Sequence, residues 1–212
     1  MKPMTFKING LYLKDKKPDA VLAGCIEIFE NAWPSNPQNT INDVESQTAN
    51  LDSGVYWKKA PTVGLGDNQN HRSNKVLDLT YMCDITDNSV IQNIHNQYYS
   101  MILSASNSYA TRLGINEHLY HEGYQMLKYS NGQDYKAHYD GGTDSGRCIS
   151  AICYLNDDYV GGEIEFVNFG IKIKPEPGML ILFPSNYAYK HIAHPVTEGT
   201  KYAIVTWIRD RA

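Results

Sequence analysis

The residues with the clearest chemical potential in this sequence are the pair His138 and Asp140 and two later histidines, His191 and His194. Side chains two positions apart in a strand project from the same face, so His138 and Asp140 can converge on one ion. One later histidine would complete a set of two imidazoles and one carboxylate. Such a set leaves coordination positions open, which is typical of Fe(II) enzymes that bind oxygen and a co-substrate. The spacing therefore predicts a non-haem iron site.

The segment that carries these residues has the pattern of short strands separated by turns. Turn signals recur at Gly141-Gly142, Asn156 to Asp158, Gly161-Gly162, Pro175 to Gly178 and Glu198-Gly199. Ile171 to Lys174 alternates as a half-buried strand does, whereas Met179 to Phe183 is apolar throughout and suits a strand buried on both faces. We expect a mainly β (α+β) fold, a jelly roll like that of the cupins, backed by N-terminal helices.

The first half of the chain predicts a strand and two helices. Thr5 to Leu13 suggests the strand. The first helix is expected to begin at Asp19 and to end at Pro34, with apolar residues at helical spacing between them. A second helix is expected from near Asp87 to Leu113, because an apolar face persists to Gly114, a typical C-terminal stop.

Between the predicted helices, residues 35–73 are rich in Asn, Gly, Asp, Ser and Pro. This segment is too long for an ordinary connection, so we expect a mobile or functional loop that acts as a substrate lid. Within it Val55 to Lys59 is aromatic and basic. That stretch suits either a substrate wall or a packed surface turn.

The length and composition limit the classes of protein. A chain of 212 residues suits one domain spanning 1–212, with a helical, loop-rich support at 1–115 and a catalytic jelly-roll core at 116–212. The net charge of −4 argues against nucleic acid as a partner. No apolar run suits a membrane span or a signal peptide, and the four cysteines show no CxxC spacing, so we expect no membrane association, a cytoplasmic protein and free thiols.

The second half also carries several motifs in a fixed order. They are Tyr129, Gly132-Gln133-x-Tyr135-x-x-His138-x-Asp140, Arg147 before Tyr154-Leu155-Asn156, Gly161-Gly162-Glu163-x-x-Phe166, Pro175-x-x-Gly178, and His191-x-x-x-Pro195-Val196-x-x-Gly199-x-Lys201 with Trp207. With these motifs the segment 129–207 resembles the catalytic core of the prolyl 4-hydroxylase family of 2-oxoglutarate- and Fe(II)-dependent oxygenases. The resemblance says little about the first 115 residues, where substrate choice is expected to be decided.

The resemblance implies a double-stranded β-helix and a role for individual residues. It implies His138, Asp140 and His191 as the iron ligands, with His191 favoured over His194 because His191 has the family's spacing to the Pro-Val pair. It also implies that Lys201 and Tyr129 bind the distal carboxylate of 2-oxoglutarate. A lysine ammonium can form a charge-assisted bond with such a carboxylate. Oxygen would be the co-substrate, and ascorbate the reductant.

On the substrate side, the resemblance implies that Arg147, Trp207 and Tyr135 line a groove for a peptide or protein that contains proline. The implied reaction is hydroxylation of a prolyl residue with release of succinate and carbon dioxide. The carboxylate of Asp140 favours hydroxylation over halogenation. Two features depart from the family: the loop 141–146 is short, and Val167 follows Phe166 where proline is frequent.

Two alternatives stay open at the level of sequence. The same chemistry could act on a free amino acid, another side chain or a nucleobase, although Lys201 stands where nucleobase enzymes generally use arginine. The chain could instead be a non-catalytic, metal-binding jelly-roll module. Consumption of 2-oxoglutarate distinguishes the module from an enzyme.

Overall fold

The computed structural model describes residues 16–49, 57–61, 70–85, 88–115, 119–142 and 145–210. Its helices are α1 (Pro37–Thr48), α2 (Leu79–Ile85) and α3 (Ser89–Leu113). Its strands are β1 (Ala20–Leu22), β2 (Ile26–Phe29), β3 (Lys58–Lys59), β4 (Lys75–Asp78), β5 (Tyr120–His121), β6 (Gln125–Tyr129), β7 (Tyr135–His138), β8 (Arg147–Tyr154), β9 (Val160–Gly161), β10 (Ile164–Phe166), β11 (Ile171–Ile173), β12 (Leu180–Pro184), β13 (His191–Ala193), β14 (Val196–Glu198) and β15 (Lys201–Arg209). The strand predicted at Thr5 to Leu13 lies outside these residues.

The strands form two larger sheets that face each other, with the helices on one side, and a separate two-stranded sheet. The major sheet has the order β1-β2-β12-β8-β15-β6-β4-β3, and β5 pairs with β15. The minor sheet has the order β11-β10-β13-β7, and β14 pairs with β9. One face of the major sheet packs against α1, α2 and α3, as the shared core of Tyr98, Met101, Ile149 and Leu180 shows. The other face packs against the minor sheet through Tyr154, Phe166 and Phe183.

The central strands of the major sheet are buried because their residues are mainly apolar. Leu180, Ile181, Leu182 and Phe183 are fully buried, as predicted, because the helices cover one side of β12 and the minor sheet the other. Along β15, Tyr202, Ile204 and Ile208 face the helices. The alternate positions of β15 face the interior between the sheets.

The long helix α3 confirms the prediction for residues 87–113. The Asn88 side chain accepts hydrogen bonds from the backbone N–H groups of Val90 and Ile91, so the helix begins at Ser89. Asp87, where the helix was predicted to start, lies outside the described residues. Gly114 ends it with a φ of 68°, the left-handed conformation that glycine adopts readily. In the ranges that the structure covers, no helix combines the length and the apolar character needed to cross a bilayer. All four cysteines are free thiols.

The helix predicted from Asp19 to Pro34 is wrong. The structure has the hairpin β1–β2 there, turning at Ala23 and Gly24, which both have positive φ. The Asp19 carboxylate closes the hairpin by accepting the backbone N–H of Glu30 at 2.8 Å, instead of capping a helix. Strand β2 then pairs with β12, so tertiary pairing outweighs the helical spacing of the apolar residues.

The expectation of a loop throughout residues 35–73 is also wrong. Helix α1 occupies Pro37–Thr48, with Asn36 as its N-cap and Pro37 in its first turn. Its buried residues Ile41 and Val44 join the helix-side core. Residues 50–56 and 62–69 of this segment lie outside the described residues, and the hypothesis of a substrate lid within 35–73 stays a prediction.

Candidate active site

Two neighbouring strands of the minor sheet bring the predicted iron ligands together. His138 ends β7, His191 begins β13, and the two residues pair directly across the strands. Asp140 follows β7 on the same side. One ligand atom from each residue lies within 4.8 Å of the others. His138 Nε2 is 3.6 Å and His191 Nε2 is 3.8 Å from the Asp140 carboxylate.

His194 does not join this cluster. Its Nε2 lies 2.6 Å from the Glu165 carboxylate, which also contacts Lys172 at 3.5 Å. His191 and His194 are three residues apart, and in an extended segment this odd spacing places the side chains on opposite faces. The geometry therefore groups His191, and not His194, with His138 and Asp140, and iron binding by these three residues stays a prediction.

Hydrogen bonds to the backbone fix both imidazole rings. His138 Nδ1 lies 2.7 Å from the carbonyl of Lys136, and His191 Nδ1 lies 3.1 Å from the carbonyl of Tyr189. Since a carbonyl only accepts, each Nδ1 carries the proton and each Nε2 is left with a lone pair for an ion. The two Nε2 atoms are the ones that face Asp140.

The carboxylate of Asp140 is held from the major sheet. The Ser150 hydroxyl donates to it at 2.6 Å and lies 2.8 Å from the Ser185 hydroxyl. The side chain of Trp207 also stabilises the ionised carboxylate. Sequence analysis did not identify Ser150, because nothing in its local pattern places it opposite Asp140.

The electrostatics favour the protonation states that bind a metal. Burial, with a contribution from His191, lowers the pKa of His138 to about 3. Burial raises the pKa of Asp140, but the histidines and the hydrogen bonds from Ser150 and Trp207 lower it more, so the net pKa lies below the ordinary value. A neutral His138 and an ionised Asp140 are the forms that ligate a cation. Two imidazole nitrogens and a carboxylate on one side, with a cavity on the other, fit Fe(II).

We expect Ser150→Ala to weaken metal binding about tenfold. Losing a hydrogen bond that orients a ligand typically costs ten- to hundredfold in affinity, and Trp207 still stabilises the ionised Asp140 in the variant. Anaerobic titration calorimetry with Fe(II) measures the change. Ser106→Ala is the control, because Ser106 is also buried but lies in α3. Equal affinities for the two variants would show that Ser150 does not orient Asp140.

A cavity between the sheets extends from this cluster to Lys201. Its lining includes Tyr129, Tyr154 and apolar side chains from the major sheet. Lys201 is 2% exposed and its ammonium donates to the Gly162 carbonyl at 2.7 Å. Its Nζ lies 4.9 Å from the centre of the Tyr129 ring and 5.5 Å from that of Tyr154.

The Lys201 amine has no carboxylate within 4.0 Å among the described residues. Burial lowers its pKa to about 7, Lys174 adds to the decrease, and Glu163 opposes it. Burial also raises the pKa of Tyr129, so its hydroxyl stays protonated and can donate. A buried amine beside a protonated phenol is suited to bind an anionic group that enters the cavity.

The turn at Gly161-Gly162 sets the position of this amine. Both glycines have positive φ, and a Cβ on Gly161 would lie 2.3 Å from the Pro195 carbonyl oxygen. A Cβ on Gly162 would lie 3.2 Å from the Lys201 side chain. The interpretation of this pair as a tight turn agrees with the structure.

At the outer end of the cavity, aromatic and cationic groups stack beside His138. The rings of Tyr135 and His138 are nearly parallel, with centres 3.4 Å apart. The Arg72 guanidinium lies 4.7 Å from the centre of the Tyr135 ring. Sequence analysis missed Arg72, which lies within the segment expected to be a lid and is brought here by its bridge to Tyr135.

The other predicted substrate contacts, Arg147 and Trp207, also lie at this entrance. The Arg147 guanidinium covers the Trp207 ring at 3.9 Å and forms two hydrogen bonds to the Glu122 carboxylate, at 2.9 and 2.7 Å. Its position is therefore fixed by the protein. That these residues touch substrate stays a prediction.

Comparisons with known proteins agree with this geometry. A family model described as the 2OG-Fe(II) oxygenase superfamily matches residues 124–209. The "Probable prolyl 4-hydroxylase 9" of Arabidopsis thaliana is 34% identical over 119 residues, covering 42% of this chain and 41% of the relative. A "Putative prolyl 4-hydroxylase" of Acanthamoeba polyphaga mimivirus is 30% identical over 110 residues, covering 42% of this chain and 46% of the relative. The chain thus spans less than half the length of these curated relatives.

Solved structures show the same fold. A prolyl hydroxylase from Trichoplax adhaerens, solved with a hypoxia inducible factor peptide fragment, has a TM-score of 0.70 and 22% identity, and the match covers 89% of this chain and 84% of that one. A prolyl-4-hydroxylase from Pseudomonas putida has a TM-score of 0.59 and 20% identity over 89% and 94% of the two chains. The double-stranded β-helix prediction is confirmed. Residues 124–209 thus match the 2OG-Fe(II) oxygenase superfamily, and the relatives and solved structures described above are named prolyl hydroxylases, which confirms the family resemblance.

Proposed function

We propose that this protein is a 2-oxoglutarate- and Fe(II)-dependent dioxygenase that hydroxylates a prolyl residue in a peptide or protein. One observation carries the proposal: the cluster of His138, Asp140 and His191 and the buried amine of Lys201 line the same cavity. This arrangement offers a metal site at one end and a carboxylate site at the other. Such a cavity suits a small dicarboxylate that chelates the metal by its keto-acid end.

In this proposal the protein residues bind, orient and exclude water. Iron held by His138, Asp140 and His191 supplies the oxidative chemistry when it is bound. Lys201 and Tyr129 bind the distal carboxylate of 2-oxoglutarate and so set its distance from the metal site. Apolar lining residues keep this region dry, which strengthens the charged contact with Lys201. They are Leu127, Ile152, Ile164, Ala203 and Val205.

The substrate would approach from the entrance formed by Tyr135, Arg147 and Trp207. Proline as the target is supported by the names of the curated relatives, and a peptide substrate by the complex of the Trichoplax adhaerens protein. The fixed guanidinium of Arg147 over Trp207 offers donors beside an aromatic face. Both features suit a peptide backbone next to a proline ring.

The test is conversion of 2-oxoglutarate to succinate with Fe(II), oxygen and ascorbate, with and without proline-rich peptides. We expect metal-dependent succinate that rises with a proline peptide, and a peptide product heavier by one oxygen. His138→Ala should lower turnover by more than about a hundredfold, because it removes a ligand. His194→Ala is the control, since His194 contacts Glu165 and does not line the cavity.

Other outcomes separate the alternatives. Succinate without stimulation by any proline peptide would retain the dioxygenase and contradict the prolyl substrate, leaving a free amino acid, another side chain or a nucleobase to be tested. Metal binding with no binding of 2-oxoglutarate would instead identify a non-catalytic jelly-roll module.

A further inference from the structure

Arg72 is a buried cation whose charge the described residues leave unbalanced. Its side chain lines both the cavity between the sheets and the entrance beside Arg147 and Trp207, and the residue is 7% exposed. Its Nε donates to the Asn74 side-chain oxygen at 2.9 Å, and its Nη1 donates to the Pro61 carbonyl at 3.1 Å. Both acceptors are neutral. Within the described ranges no carboxylate oxygen lies within 4.0 Å of the guanidinium.

The other cations at the site have a balancing charge, or gain one in the proposed function. Arg147 is paired with Glu122. The charge of Lys201 would be balanced by the distal carboxylate of 2-oxoglutarate. Fe(II) is a dication and 2-oxoglutarate a dianion, so with Asp140 ionised the loaded site retains one net positive charge, that of Arg72. A charge buried in this way is costly unless it is paired with an anion.

We propose that Arg72 binds a carboxylate of the substrate. The protein would then select a target residue that lies beside an acidic side chain or carries a free α-carboxylate. This inference rests on the proposed function and deepens it by naming a chemical requirement of the substrate.

The geometry limits where that carboxylate lies relative to the target. Arg72 contacts one ring, Tyr135, and this ring contacts His138 at the metal site. The guanidinium is thus one aromatic ring away from the reacting centre. Since a residue of extended peptide spans about 3.3–3.6 Å, the carboxylate belongs to the target residue or to its immediate neighbours.

The guanidinium is also pre-organised for this role. The bonds to Asn74 and Pro61 use Nε and Nη1, and the contact with Tyr135 fixes its plane. A planar guanidinium whose N–H donors are held in one orientation loses little entropy when it binds a carboxylate. A lysine at this position would keep the charge but lose the planar pair of N–H donors.

The experiment measures binding apart from catalysis. Capped peptides with one proline carry Asp or Asn directly before or after it, and a further pair ends in proline as the free acid or the amide. Their affinities for the protein loaded with Mn(II) and 2-oxoglutarate are measured by titration calorimetry without oxygen. We expect the wild type to bind an acidic member about ten- to thirtyfold more tightly than its neutral match. The pair that shows the preference identifies the source of the carboxylate.

Variants test whether Arg72 is responsible. Arg72→Met should reduce the preference to within about twofold, whereas Arg72→Lys should retain part of it. Lys136→Met is the control for long-range charge. The Lys136 side chain is 54% exposed and lines neither the cavity nor its entrance, so the full preference should persist.

Two results would overturn the inference: equal binding of acidic and neutral peptides by the wild type, or an unchanged preference in a folded Arg72→Met protein. If that variant does not fold, the wild-type comparison and Arg72→Lys still decide the question. Failure of the proposed function is a separate result, because it appears as the absence of succinate stimulation by every proline peptide.

Discussion

His191→Ala is expected to lower Fe(II) affinity and succinate formation by more than about a hundredfold, whereas His194→Ala should leave both within about twofold of the wild type. The structure places His191 Nε2 beside the Asp140 carboxylate, and His194 against Glu165. Removing an outer hydrogen-bond partner of a metal ligand already costs ten- to hundredfold, so removing the ligand itself costs more. Anaerobic Fe(II) titration and succinate assays measure both effects.

The two variants control for each other. Each replaces the same residue type in the same stretch of chain. Thermal unfolding of the variants shows whether strand β13 is intact. Loss of iron binding in His194→Ala with retention in His191→Ala would reverse the assignment. Equal losses in two folded proteins would mean that the ion is held differently from the arrangement found here.

The part of the site that could be predicted from sequence depends on short-range geometry. His138 and Asp140 are two residues apart, so strand alternation suffices to place both on one face. Alternation likewise predicts that Lys201 and Trp207 share a face of β15, and both line the cavity. The family spacing selected His191, and the odd separation from His194 gives that choice its physical reason.

The residues that sequence analysis missed depend on contacts between distant segments. Ser150 reaches Asp140 across the two sheets, and Glu122 fixes Arg147 from the end of β5. Arg72 contacts the site through its bridge to Tyr135. Serine, glutamate and arginine are common surface residues, and no local pattern marks these three as buried or paired. Only the assembled strands show their roles.

The errors in the predicted secondary structure have a similar cause. Ile26 to Phe29 suits either one face of a helix or a strand, because short apolar runs are ambiguous. Pairing with β12 decides for the strand. Helix α1 was missed because its sequence is polar and only a few of its residues are buried, Ile41 and Val44 among them. By contrast α3 is long, capped and apolar on one face, so local signals were sufficient.

Lys201→Met is expected to weaken 2-oxoglutarate binding about ten- to hundredfold, since it removes a charge-assisted hydrogen bond in a buried cavity. Methionine has a similar length, so the cavity keeps its shape. Calorimetric titration of 2-oxoglutarate into the Mn(II)-loaded protein measures the loss. Lys172→Met is the control, because Lys172 is an exposed lysine in β11 that pairs with Glu165 and does not line the cavity.

The lowered pKa of Lys201 also predicts how the affinity for 2-oxoglutarate changes with pH. Burial lowers the pKa of Lys201 from 10.5 to about 7, with Lys174 adding to the decrease and Glu163 opposing it. Above pH 7 the free site is therefore neutral, and binding a carboxylate requires uptake of a proton. The affinity of the wild type for 2-oxoglutarate should fall by up to about tenfold per pH unit above pH 7 and be insensitive to this group below it. Lys201→Met should show no such fall.

The thermal stability of the Lys201→Met variant provides an independent check on the role of Lys201. Between pH 7 and 10.5 the unfolded chain holds the Lys201 proton and the folded protein does not, so this group makes the folded state more stable as pH rises. At neutral pH and below, burial of the ammonium costs stability, and Lys201→Met should unfold at an equal or higher temperature than the wild type. A variant that loses 2-oxoglutarate binding and also melts earlier would point to a structural role for Lys201. One that binds 2-oxoglutarate as the wild type does would remove Lys201 as the anchor of the carboxylate.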